Sequence, residues 1–171
     1  MTQKRTLAAV IGATAATIVL AFTGMQEGSS NTPYRDSGGV WTVCTGQTGV
    51  PMHYYTDSQC SGMLANTLEV TAAQLASGIP GFTLRTDGQK VAAVDLAYNI
   101  GVHAFFWSGS PARPSTISRQ YESGAFPAAC DSFLNYRLVD GKDCSIRTNN
   151  CYGVWTRRQA ERSMCLDSSV H

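Results

Sequence analysis

A charge-free run of 21 residues, Thr6 to Gln26, follows Lys4 and Arg5 and ends against a carboxylate, Glu27. No other stretch limits the chain as strongly. At about 1.5 Å per residue, one helix of this length just crosses a hydrocarbon core of roughly 30 Å. Yet from Leu7 to Met25, eleven of nineteen residues are Ala, Gly or Thr, and only eight are larger apolar residues. Insertion energy comes mainly from Leu, Ile, Phe and Val, so the span sits near the threshold, and the positive charges before it send the rest outward. Three readings fit. One is a cleaved signal peptide, although the small-residue site around Ala21 and Thr23 is poor. The others are a permanent anchor and a weak anchor that later leaves the bilayer. All three export residues 27 to 171.

The cysteines agree with export. All six, Cys44, Cys60, Cys130, Cys144, Cys151 and Cys165, follow the apolar run, and an even set in an oxidising compartment is expected to pair. Six cysteines allow 15 connectivities; the short loop from Cys144 to Cys151 is the expected local pair. The chain of 171 residues, 43% apolar and 15% charged, is long enough for one domain or two small lobes. A formal net charge of +1 leaves no footprint for nucleic acid. His53, His103 and His171 form no HExxH arrangement and no phosphate-binding loop occurs, so no metal and no cofactor is expected.

Beyond residue 27 the pattern is α+β. Residues 34–55, rich in Gly, Thr, Val, Tyr and Trp, read as a small strand-bearing lobe with turn signals at Asp36-Ser37-Gly38-Gly39 and Thr48-Gly49. Thr56 and Gln59 form a capping box before a connecting helix to about Ser77; Thr86 and Gln89 form another before a helix ending at Asn99 to Gly101. Ser108 to Pro114 reads as a loop, and further helices fit Ser115–Ser123, Pro127–Arg137 and Thr156–Leu166. The helical lobe thus runs over about 82–166, and a cleft between two lobes is a natural binding site.

Chemistry concentrates after the apolar run. Glu27 is followed by eight residues and Asp36, then by five residues and Thr42. Two carboxylates flanking a bond are what glycoside hydrolysis needs, one protonated to expel the leaving oxygen and one ionised. A hydroxyl helps to hold the attacking water. The run EGSSNTPYRDSGGVWTVCTGQTG resembles the active-site segment of the phage-type lysozymes, glycoside hydrolase family twenty-four, whose Glu, Asp and Thr stand at the same spacing. The likeness continues through TDSQCSGMLANTL, VAAVDLAYNIG, SGAFPAACDSF and GVWTRRQAERSMCL.

That resemblance implies a lysozyme-like two-lobe fold and a muramidase that hydrolyses the β-1,4 bond between N-acetylmuramic acid and N-acetylglucosamine. It further implies inversion at the anomeric carbon, with Glu27 as general acid and Asp36 and Thr42 placing water. With the weak apolar leader, residues 1–26, it resembles a signal-arrest-release endolysin, tethered in the inner membrane and then freed to the periplasm. Its implied partners are peptidoglycan, the inner membrane and, indirectly, a holin-type protein; the implied state is a monomer. A lytic transglycosylase and a non-catalytic, membrane-tethered glycan-binding protein are the alternatives.

Other residues carry narrower expectations. Arg157, Arg158 and Glu161 have the spacing of a solvated ion-pair face, while the resemblance puts an arginine of this stretch beside the catalytic Glu, with Arg158 favoured. Asn99 and Gly101 read as a helix stop that the resemblance places near the cleft. Gln47 and Thr67 stand where the family often has His and Asp, so a neutral contact is expected in place of an ion pair. Trp41 and Trp155 are expected in the core, and His103 at the surface.

Overall fold

The computed structural model describes residues 6–36 and 39–167. Lys4, Arg5, the Ser37-Gly38 part of the first turn signal and His171 lie outside these. The apolar run forms two helices, α1 (Leu7–Ile11) and α2 (Ala13–Glu27). Gly12 separates them at φ 89°, a conformation that other residues adopt only with strain. At 15 residues, α2 is about 22 Å long. Among the described residues, no helix is long and apolar enough to cross a membrane.

These helices are packed against the rest of the chain. Leu7, Val10, Ile11, Ala15, Ala16 and Val19 share one core with Leu64 and Leu68, Ala92 and Leu96, and Phe105. On α2, the positions Ala15, Val19 and Thr23 recur every four residues and are buried, the stripe expected of a helix with one face on a core. Glu27 is the next position on that stripe.

A hairpin follows. β1 (Ser30–Arg35) pairs antiparallel with β2 (Trp41–Cys44), Tyr34 opposite Thr42 and Arg35 opposite Trp41. This is the strand lobe, beginning four residues earlier than its composition suggests. Its own small core gathers Val43, Cys44, Tyr55 and Cys60, with a disulfide from Cys44 to Cys60. Trp41 is not in a core: it is 48% exposed at the turn end of a two-stranded hairpin, with the Arg35 guanidinium 4.8 Å above its ring. Trp155 is half-buried.

The connecting helix α3 (Asp57–Gly78) begins with the expected capping box, as does α4 (Asp87–Ile100). α4 is buried along its middle, from Val91 to Ala97, and carries α2, α3 and α8 (Tyr152–Leu166) around it. The contact with α8 depends on Gly88, where a Cβ would lie 2.0 Å from the carbonyl oxygen of Met164. After α4 come α5 (Val102–Phe106), the small hairpin of β3 (Trp107–Ser108) and β4 (Arg113–Pro114) where a loop was expected, and α6 (Thr116–Ser123). The helix expected over 127–137 is a short α7 (Ala128–Asp131) that tightens into a 3-10 turn, Ser132–Asn135. A last hairpin pairs β5 (Leu138–Val139) with β6 (Lys142–Asp143). Disulfides join Cys130 to Cys165 and, as the short loop suggests, Cys144 to Cys151.

Candidate active site

Glu27 is the last residue of α2, with its side chain 21% exposed. Arg157 Nη1 donates to Glu27 Oε1 at 2.5 Å. The same guanidinium donates from Nε and Nη2 to Asp95 Oδ2 and Oδ1, both at 2.9 Å, a bidentate pair of the strong kind. Asp95 also accepts from Thr23 Oγ1 at 2.7 Å. Burial alone would raise the Asp95 carboxyl, but the hydrogen bond and charge of Arg157, helped by Glu161 and Thr23, hold it below its ordinary value. Burial works against the Arg157 charge as well; Asp95 and Glu27 outweigh it and raise the guanidinium further.

Arg158 lies elsewhere. Its side chain is buried, and Nη2 donates to Glu161 Oε1 at 2.7 Å and to Asn99 Oδ1 at 3.1 Å. The arginine hydrogen-bonded to Glu27 is therefore Arg157, one residue earlier than expected. The expected solvated face is interior too, since Arg157, Arg158 and Glu161 are all buried. Successive residues on a helix point about 100° apart, so neighbouring arginines meet different partners. Burial pushes the Glu161 carboxyl up and lowers Arg158.

A cleft of about 480 Å³ opens beside Glu27, lined among others by Gly46, Gln47, Thr67, Tyr98 and Asn99. Asn99 thus reaches the cleft wall while holding Arg158. The expected neutral contact is present, Thr67 Oγ1 meeting Gln47 Oε1 at 3.4 Å. Tyr98 Oη donates to the carbonyl of Thr45 at 2.8 Å, tying the helical lobe to the strand lobe. Burial, with the nearby Glu27 charge, pushes the Tyr98 phenol up to about 12.

Asp36 and Thr42 sit on the hairpin and do not line that cleft. Asp36 opens the turn: its Oδ1 accepts from the Val40 amide at 2.8 Å, and its own amide donates to the Val40 carbonyl at 3.0 Å. A short carboxylate that bonds a nearby amide in this way fixes a turn. Thr42 is buried at 3% exposure and donates to the Val40 carbonyl at 3.1 Å, leaving its lone pairs to accept. His103 is exposed on α5. Among the described residues no cluster of three or more His, Cys, Asp or Glu is placed to hold a metal.

Three residues escaped the sequence reading: Arg157 as the partner of Glu27, and Asp95 and Thr23 behind it. One signal was available for Asp95. A lone carboxylate inside the buried run VAAVDLA demands a buried cation or several donors.

The profile of the family described as phage lysozyme matches residues 24–161. The SAR-endolysin of Enterobacteria phage P21 is 33% identical over 172 aligned positions, covering 96% of this chain and 94% of its own. The SAR-endolysin of Escherichia phage 933W is 32% identical over 160, covering 90% and 85%. Among solved structures, the active form of the P1 phage endolysin Lyz superposes with a TM-score of 0.75 at 22% identity, over 94% of this chain and 93% of that one.

Proposed function

The chain belongs to the phage lysozyme family, and on that premise we propose how this lytic endolysin, a glycosidase of peptidoglycan, works and where. Glu27 is the general acid that protonates the leaving oxygen of the β-1,4 bond between N-acetylmuramic acid and N-acetylglucosamine. The observation that carries this is the seating of Glu27 at the cleft wall, one carboxylate oxygen held by Arg157. A carboxyl fixed at one oxygen presents the other, with its proton, in one direction.

Asp36 and Thr42 complete the reaction in this reading. Asp36 acts as base toward a water that Thr42, already donating to Val40, accepts from through its lone pairs. The attack comes from the face opposite Glu27 and inverts the anomeric carbon. The spacing Glu27, Asp36, Thr42 supports these roles.

The enzyme acts in the periplasm, in keeping with the SAR-endolysin relatives. Residues 6–26 first lie in the inner membrane, weakly because so few are large and apolar, and leave it when a holin-type protein disrupts the bilayer. On release they refold as α1 and α2, bringing Glu27 against Arg157. The released enzyme works as a monomer.

The test is Glu27→Gln on purified peptidoglycan, with folding checked by circular dichroism. An amide has no acidic proton to give, so a folded variant should release no muropeptides. The native products should carry reducing N-acetylmuramic acid ends by mass spectrometry, and the initial anomer seen by NMR should be the inverted one. Near-native turnover by Glu27→Gln would end the assignment, and 1,6-anhydro ends would make the enzyme a transglycosylase.

A further inference from the structure

Glu27 and Thr23 are four residues apart on α2, on one face and one turn apart. Each is tied to the same assembly. Thr23 donates to Asp95 at 2.7 Å, Asp95 receives Arg157 through two hydrogen bonds at 2.9 Å, and Arg157 donates to Glu27. The helical turn from Thr23 to Glu27 closes the path into a ring. It joins α2, α4 and α8, and Thr23 and Asp95 in it are fully buried.

We infer that Asp95 and Thr23 are positioning residues for the reaction: Asp95 aims Arg157 at Glu27 and offsets its charge there, and Thr23 fixes Asp95. A guanidinium has five donors and rotates about several bonds. With two of its nitrogens held by Asp95, Arg157 has one orientation left in which Nη1 reaches Glu27. Asp95 is itself faced by Thr23 from α2 and by Arg157 and Glu161 from α8, so its carboxylate cannot turn away. Thr23 also gives the former leader a second hold on the site. Besides carrying Glu27 covalently, α2 completes the environment of the group that orients it.

Electrostatics sharpen the distinction between the two residues. Without the Asp95 carboxylate, Arg157 loses both the acceptor that aims it and the charge that offsets its own. Removing only the Thr23 hydroxyl leaves all charges in place and loosens geometry alone.

The inference rests on Glu27 being the acid. Initial rates at saturating purified peptidoglycan are measured against pH for wild type, Thr23→Val, Thr23→Ser and Asp95→Asn, at a temperature where circular dichroism shows each one folded. Thr23→Val should lower the maximal rate about tenfold, the kinetic equivalent of about 1.4 kcal/mol, with an unmoved profile and peptidoglycan binding retained in a sedimentation assay. Thr23→Ser, which keeps the donor, should restore most of the rate. Asp95→Asn should lose about a hundredfold, as a misplaced group does, with peptidoglycan binding retained. A native rate in folded Thr23→Val, or Thr23→Ser no better than Thr23→Val, overturns the inference. So does a folded Asp95→Asn that turns over at the native rate. Should Asp95→Asn not fold, the two Thr23 variants decide. An active Glu27→Gln, measured alongside, would instead sink the assignment of the acid.

Discussion

Truncating Ile11 should unfold this enzyme at a lower temperature, although Ile11 lies in what reads as a leader. Ile11 is 1% exposed, in one core with residues of α3 and α4. Ile11→Ala removes three carbons, about 2.4 kcal/mol at roughly 0.8 kcal/mol for each buried methylene. A cavity left between helices adds to this, and measured changes of this type run from about 2 to 5 kcal/mol. For a chain of this size, each kcal/mol moves the melting temperature by roughly 2–4 °C, so a fall on the order of 5–15 °C is expected. The control is Thr14→Ala on the exposed face of α2, where a surface change should stay within about 0.5 kcal/mol. Thermal melts of the soluble, disulfide-intact protein by circular dichroism provide the comparison. If Ile11→Ala melts no lower than Thr14→Ala, the leader is not part of the core and the refolding of residues 6–26 is wrong.

Thr14 and Thr17 are both exposed on α2, so replacing them with Leu should strengthen membrane insertion while sparing the packed face. Cell fractionation should find more enzyme in the membrane and lysis delayed; unchanged lysis by membrane-held protein contradicts this. Gly12 is unsuited to the same test, since its φ of 89° would strain any side chain. Reducing the disulfides should lower the melting temperature while leaving low-temperature activity. Across sequence separations of 35, 16 and 7, the loss by loop entropy is ordered Cys130–Cys165, Cys44–Cys60, Cys144–Cys151, at about 3.8, 3.1 and 2.4 kcal/mol. Single Cys-pair replacements followed by urea unfolding test that order. Tyr98 adds a pH dependence: its phenol, raised to about 12 from an ordinary 10.0, stabilises the fold in full below the lower value and ceases to do so as pH rises through the upper one. The stability gap between wild type and Tyr98→Phe should therefore narrow above pH 10, and a constant gap would refute this.

Much of the layout was legible because local rules and tertiary packing agree. Both capping boxes start helices where Thr56 and Thr86 predict them. The short Cys144–Cys151 loop closes as expected, and the Gly, Thr, Val, Tyr and Trp enrichment of residues 34–55, with its turn signals, marked the strand lobe. What stayed hidden was set by packing between distant elements. The small residues that make residues 6–26 a poor membrane span, Ala15, Ala16 and Thr23 among them, also let α2 lie close on α3 and α4, and composition alone does not separate those uses. Gly12 gave a hint, since a glycine inside a span weakens the helix.

The arginine pair shows the same limit at finer scale. Arg157 and Arg158 are equivalent in the sequence, and only the rotation of α8 on α4, allowed by the close approach at Gly88, turns Arg157 toward Asp95 and Glu27. Trp41 failed for the opposite reason. An aromatic in a strand is usually covered, but this strand belongs to a sheet of only two strands, and Trp41 stays 48% exposed beneath the Arg35 guanidinium.

In the proposed function the leader is a working part of the enzyme, since Glu27, its general acid, ends a helix built from those residues. Intact-mass measurement of the soluble, active protein taken from the periplasm tests this most directly. Retention of residues 7–27 in the lytically active species is the predicted result. An active species whose mass shows that residues 1–25 have been removed would contradict it.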